Sequence, residues 1–222
     1  MRILAFDSSG NACSAALWEE GRIAARAFET RTVGQAERLV PMIERVLEAS
    51  GHGLETLDLL AVTVGPGAFT GVRIGIATAQ GLALGTGLPC LGLSSLEAVA
   101  HGVPDRLLRG RRLVVALDSR REELFLQSFD TDRRPLDPPA LLPIRDWAVP
   151  REPLLLAGDA APRLAAALMG RDFATADGPG VVDAGDLAEL AAEHWRPGMM
   201  VEPLHPLYLH APDVTLPKER GS

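Results

Sequence analysis

A chain of 222 residues, 47% hydrophobic and 23% charged, is long enough for one large lobe or two smaller ones, each with a buried core. Its net charge of −7 argues against stand-alone nucleic-acid binding, which needs a basic footprint. Two cysteines, Cys13 and Cys90, lie far apart without C-x-x-C spacing and read as buried apolar residues in a reducing compartment.

The opening reads as an antiparallel meander. Strands at 2–6, 12–18 and 22–30 are joined by a polar turn at 7–11 and a Glu-Glu-Gly turn. Only four apolar residues separate Arg2 from Asp7, so no secretory leader is read and a cytoplasmic location is expected. A helix follows at 35–50, stopped by Gly51. The strand 57–64 then runs into the glycine loop Gly65-Pro66-Gly67-Ala68-Phe69-Thr70-Gly71 and a second helix, 71–85. Strand, glycine loop and helix is a layout that presents backbone N–H groups to an anion, or else a sharp turn that lets the helix pack closely. No Lys follows the glycines, so the loop is not a phosphate-binding Walker loop, and the spacing misses G-x-G-x-x-G. The second helix carries Arg73 and Gln80 and is too short to span a bilayer.

A weaker copy of this opening appears half a chain later. Leu113 to Leu117 form an apolar run ending in Asp118-Ser119, as the first strand ends in Asp7-Ser8, and a strand-like stretch 123–129 follows. Pro135, Pro138, Pro139, Pro143, Pro150 and Pro153 then punctuate a connecting region. A short strand at 154–157 and helices at 160–169 and 183–195 complete the pattern. The repeat points to two related α/β lobes of the actin/Hsp70/sugar-kinase type, at 1–110 and 111–210. A flexible tail is expected at 211–222.

Drawn at 100° per residue, the first helix has two apolar stripes. Ala36, Val40, Ile43 and Leu47 form one, and Leu39, Met42 and Val46 the other. Together they exceed the arc of about 100° that docking on one sheet needs. In the second helix Gly71, Gly75, Thr78 and Ala79, with Leu82 beyond them, make a small-residue face that admits a neighbouring helix. A partner surface is expected from Leu39, Met42, Val46 and this face. The competing reading is that the two helices pack on each other and on their own sheet.

The runs Ile3-Leu4-Ala5-Phe6-Asp7-Ser8-Ser9, Ala36 to Ile43, Gly65 to Leu84, Pro89 to Ala98 and Pro206-Leu207-Tyr208-Leu209 closely resemble the bacterial TsaB (YeaZ) proteins. The resemblance is strong over 1–130 and patchy afterwards. It implies an actin-like, Hsp70-like (ASKHA, ribonuclease H-like) fold of duplicated β-β-β-α-β-α lobes with the second lobe reduced. It also implies membership of a glycoprotease-like (M22) group, paralogous to the enzyme that completes threonylcarbamoyladenosine in tRNA. Implied partners are that catalytic TsaD-type paralogue, a small TsaE-type ATPase subunit and a second copy of this chain through the same helices. Contact with tRNA is then expected only through the complex, and none with membrane.

In actin-like proteins the first strand–Asp–turn touches the phosphates and metal of ATP, which places Asp7, Ser8, Ser9 and Asp118 at a vestigial nucleotide cleft. The alternative is an inherited turn whose Asp and Ser side chains bond nearby backbone. The catalytic paralogue has two metal-binding histidines four residues apart where this chain has Ser95 and Val99, so no metal and no cofactor is expected. No nucleophile–base set is visible. The expected role is a non-catalytic activator subunit; the alternative is a free-standing enzyme, either an ATP-dependent phosphotransferase or an M22-type peptidase.

Overall fold

The computed structural model describes residues 1–178 and 180–209. The tail expected at 211–222 lies outside them. The first sheet contains β1 (Arg2–Asp7), β2 (Ala12–Glu19), β3 (Arg22–Thr30), β4 (Leu59–Gly65) and β5 (Cys90–Ser94), in the order β3-β2-β1-β4-β5. The second contains β6 (Arg112–Asp118), β7 (Leu124–Phe129), β8 (Ala140–Leu142), β9 (Leu154–Ala157) and β10 (Phe173–Thr175), in the order β10-β9-β6-β7-β8. Read from the other edge, this is the first order again: three antiparallel strands, then two parallel ones. The sequence repeat is therefore a repeat of topology.

Helices α1 (Gln35–Ser50), α2 (Phe69–Thr86), α3 (Ser95–His101), α4 (Asp105–Leu108), α5 (Ala161–Ala167) and α6 (Ala184–His194) complete the chain. The period-2 alternation of the strands assigns them to layers. Leu4 and Phe6 of β1 face outward and pack with α1 and α2, while Ile3 and Ala5 face inward. In β6, Leu113, Val115 and Leu117 face inward, while Val114 and Ala116 face α5. Between the sheets lie α3 and α6, whose Leu96, Val99, Leu187 and Ala191 join both inner faces in one core. The helix α6 comes from the second half of the chain yet lies against β1, β2 and β4. Where the first half has the 16-residue α1, the second has only a 3-10 turn, Ile144–Asp146, among the prolines at 135–153. Proline removes amide donors and clashes with the preceding turn, so a helix does not form there.

The last described residues return to the first sheet. Leu207 donates its backbone N–H to Val64 O at 2.7 Å. Leu204 is buried over Gly92, where a Cβ would strike it, and Tyr208 stacks on Phe69 and accepts from Arg73 Nε at 2.8 Å.

The glycines of α2 differ in what surrounds them. A Cβ at Gly71 would collide with the backbone oxygen of Ser8, whereas one at Gly81 would meet nothing within 4 Å. Gly71→Ala is expected to destabilise the protein by at least about 2 kcal/mol, because the obstacle is main chain. Gly81→Ala is expected to stabilise it by about 0.5–1 kcal/mol by removing a flexible residue from a helix interior. Urea unfolding of both variants distinguishes the two environments.

Candidate functional site

The glycine loop wraps the turn between β1 and β2. Ala68 N donates to Ser9 O at 2.7 Å, and a Cβ at Gly67 would collide with the same oxygen. Ser8 Oγ donates to Gly71 O at 2.9 Å. The close-packing reading of this loop is the one realised, with the turn itself as the packed object.

Asp7 closes β1 and is completely buried. Its Oδ1 accepts from Thr63 Oγ1 and, at 3.1 Å, from Ser9 N, while Oδ2 has no hydrogen-bond partner among the described residues. Burial pushes its carboxyl pKa up, and the Ser9 and Thr63 hydrogen bonds oppose this without cancelling it. Ser9 Oγ lies 3.1 Å from Ser95 Oγ. Of the four residues expected at a nucleotide cleft, Ser9 and Asp118 line the space between the lobes, while Asp7 and Ser8 turn into the first lobe. Both aspartates make the same local turn, since Arg120 N donates to Asp118 Oδ1 at 3.0 Å as Ser9 N does to Asp7. Ser95 and Val99 are both buried, the first on Ser9 and the second in the core between the sheets.

Side chains not foreseen from the sequence fill the cleft. Asn11 Nδ2 donates to Asp159 Oδ2 at 3.0 Å, and Asp159 Oδ1 accepts from Asp118 N at 2.8 Å. Arg120 reaches back across the lobes to Asn11 Oδ1 at 3.2 Å, and Arg163 Nη1 bonds Asp118 Oδ1 at 2.8 Å. Burial raises the Asp159 pKa. The cavity left among these groups is about 40 Å³. Small-molecule sites occupy about 300 Å³ or more. A wider groove of about 690 Å³ runs outside it, between 32–35, 67–71 and 119–121. Gly158-Asp159 follows β9 where Gly65-Pro66 closes β4 in the first lobe, so no motif in the sequence marks Asp159.

The helix faces require a correction. Leu39, Met42 and Val46, taken from the sequence as the surplus stripe, are 0%, 2% and 1% exposed and belong to the outer core of the first sheet. The other stripe divides: Ile43 is buried, Leu47 is half-buried, and Ala36 and Val40 are exposed. The small face of α2 is likewise used internally. Gly71, Gly75 and Ala79 are buried, and Gly75 sits over Val62 and Ser8; Thr78 and Leu82 are half-buried. The arc that looked too wide is needed because α1 packs on β2, β3 and α2 together. The outward surface of the pair carries Val40 (46% exposed), Ala77, Gly81, Leu84 (90% exposed) and Gly85.

Two five-stranded sheets of one topology, with a helix pair between them and a cleft at the ends of β1 and β6, define the actin-like duplicated fold with a reduced second lobe. The ethanolamine utilization protein EutJ from Carboxydothermus hydrogenoformans shares this fold at a TM-score of 0.52 and 13% identity, covering 85% of this chain and 89% of that one. The profile of the tRNA N6-adenosine threonylcarbamoyltransferase (TsaD) family matches residues 33–139. The Escherichia coli K12 protein TsaB, a tRNA threonylcarbamoyladenosine biosynthesis protein, is 43% identical over 132 residues, 60% of this chain and 56% of that protein. YeaZ from Pseudomonas aeruginosa superposes with a TM-score of 0.81 at 33% identity, covering 94% of this chain and 99% of that one. The chain belongs to the TsaB (YeaZ) family. It matches about half the length of the curated relatives.

Asp7 gives a pH signature. Its folded pKa is raised above the unfolded value of about 3.9, so its stabilising contribution is complete below about pH 4 and is lost as pH rises through the folded value. Asp7→Asn removes that loss. Relative to the parent, the variant is expected to gain stability between pH 4 and pH 8, as read by urea midpoints across the range.

Proposed function

We propose that this protein is a non-catalytic accessory subunit in threonylcarbamoylation of tRNA adenosine, and that it activates a TsaD-type paralogue by docking through the outward face of α1 and α2. The observation that carries the docking site is the division of the helix pair. Its inner stripes are consumed by the first sheet, yet Val40 of α1 and Leu84 of α2 stay exposed, and a Cβ at Gly81 or Gly85 of α2 would meet nothing within 4 Å. A face with small residues between apolar ones suits close approach by another helix pair, and the TsaD profile covers the same α1–β4–α2 segment. The family resemblance implies docking of matching helix pairs, self-association through them when the paralogue is absent, and a TsaE-type ATPase as a further partner. Lobes at 1–110 and 111–210 are taken as the structural units, with α6 returned to the first.

The accessory reading rests on the filled cleft. Asp7 and Ser8 bond within their own lobe, and Asn11, Arg120 and Asp159 bond one another or neighbouring backbone across the cleft, leaving a cavity of about 40 Å³. Calorimetry with ATP and the isolated protein is expected to give no heat of binding. Micromolar affinity would favour the free-standing phosphotransferase instead.

Val40→Glu and Leu84→Glu place a charge at the centre of the proposed contact. Each is expected to weaken paralogue binding by 100-fold or more, about 3 kcal/mol, while leaving the thermal midpoint nearly unchanged. Leu39→Glu, in the core, is expected to unfold the protein. Pull-down and thermal melts together decide the assignment: normal binding by both surface variants moves the interface elsewhere.

A further inference from the structure

The net charge of −7 hides an uneven distribution. Of the 22 basic residues, 21 are arginine. Four of them fall within seven positions, Arg106, Arg109, Arg111 and Arg112, on α4 and the start of β6. Topology gathers four more at the same end of the second sheet. Arg133 and Arg134 lie in the turn after β7, whose Phe129 pairs with Leu113. Arg151 and Arg171 precede β9 and β10, whose first residues, Leu154 and Phe173, pair beside Arg112. This is the opposite end of β6 from Asp118 and the cleft.

Seven carboxylates share that end, Asp105, Asp130, Asp132, Glu152, Asp172 and, in the pocket beside Arg133 and Arg134, Glu97 and Glu193, against eight guanidinium groups. Arg111 pairs with Asp172 at 3.1 Å, Arg112 with Glu152 at 2.9 Å, and Arg133 with Asp105. Arg106, Arg109, Arg134 and Arg151 are exposed and have no side-chain hydrogen bond or ion pair among the described residues. A protein that is acidic overall therefore holds four unpaired guanidinium groups exposed along one rim, in the side chain whose planar fork matches phosphate oxygens.

We infer that this arginine rim binds the phosphate backbone of structured RNA. Resting on the accessory-subunit reading, it is the surface by which the chain itself holds the tRNA that its paralogue modifies. The occupant follows from charge complementarity. The groups are spread across α4, one strand start, one turn and two loops, which suits successive phosphates along a helical backbone rather than one small anion. The rim lies on the second sheet and leaves the α1–α2 face free, so RNA and paralogue do not compete.

The test is fluorescence anisotropy with an unmodified tRNA transcript, using the full chain alone and with its paralogue, at salt from about 50 to 200 mM. Phosphatidylglycerol vesicles are titrated in parallel. The variant is Arg106→Ser/Arg109→Ser, and the control is Arg22→Ser/Arg26→Ser, which removes the same charge from β3 on the other sheet. Thermal melts check that both fold. The expected result is RNA binding that weakens with salt, falls at least fivefold in the variant with a salt slope shallower by about 2, and is unchanged in the control. Equal binding by variant and parent overturns the proposal, as does an equal loss in the control, vesicle binding without RNA binding, or no RNA binding in either state. Failure of the chain to bind its paralogue overturns the accessory reading instead, and the anisotropy of the isolated chain still decides the rim.

Discussion

Two glycines and one turn set the geometry on which the first lobe depends. The backbone oxygens of Ser8 and Ser9 occupy the space where side chains at Gly71 and Gly67 would stand. That contact seats the start of α2 on the β1–β2 turn and brings Ala68 N onto Ser9 O. With the turn clamped, Asp7 is sealed beneath it, and its carboxylate satisfies Thr63 and Ser9 instead of reaching out. Main-chain oxygen cannot move aside as a flexible side chain can, so the constraint passes from the loop to the helix and from the helix to the outward surface.

The two lobes show what duplication leaves when one copy is trimmed. The sheet orders correspond strand for strand, and each central strand ends in an aspartate that bonds the amide two residues on. The second copy has lost its long outer helix to a proline-punctuated segment. The cleft between the copies is crossed by Asn11, Asp159 and Arg120, which hold the lobes to each other. Polar groups that would be expensive to bury unpaired are paired across the gap.

Much of the fold was legible in the residues. Short apolar runs bounded by turn residues marked most of the strands, Gly51 marked the end of α1, where its φ is positive, and the Asp-Ser pairs marked the repeat. The short strands β8 and β10 were not, because three-residue strands at a sheet edge carry too little pattern to stand out from a loop. The site was legible only in part. Periodicity identified two apolar stripes on α1 but could not say which one faces the sheet, because the two stripes adjoin on the wheel and burial is decided by elements distant in sequence. The same holds for the small residues of α2: sequence shows that something approaches closely, and only the fold shows that it is Ser8. The cleft residues Asn11, Asp159 and Arg163 come from three separate segments with no shared motif, and the arginine rim is masked by a sum over the whole chain.

The position of α6 has a consequence for the order in which the molecule is made. The inner face of the first sheet is covered by a helix that begins at Ala184, with Leu204 and Tyr208 arriving later still. On a ribosome adding about 5–20 residues per second, β5 emerges on the order of 10 s before that helix does. During that interval the nascent first half has all its strands but a bare apolar flank. Its early folding is therefore provisional, and the sheet is completed from the far end of the polypeptide, where a premature stop would leave it open to aggregation.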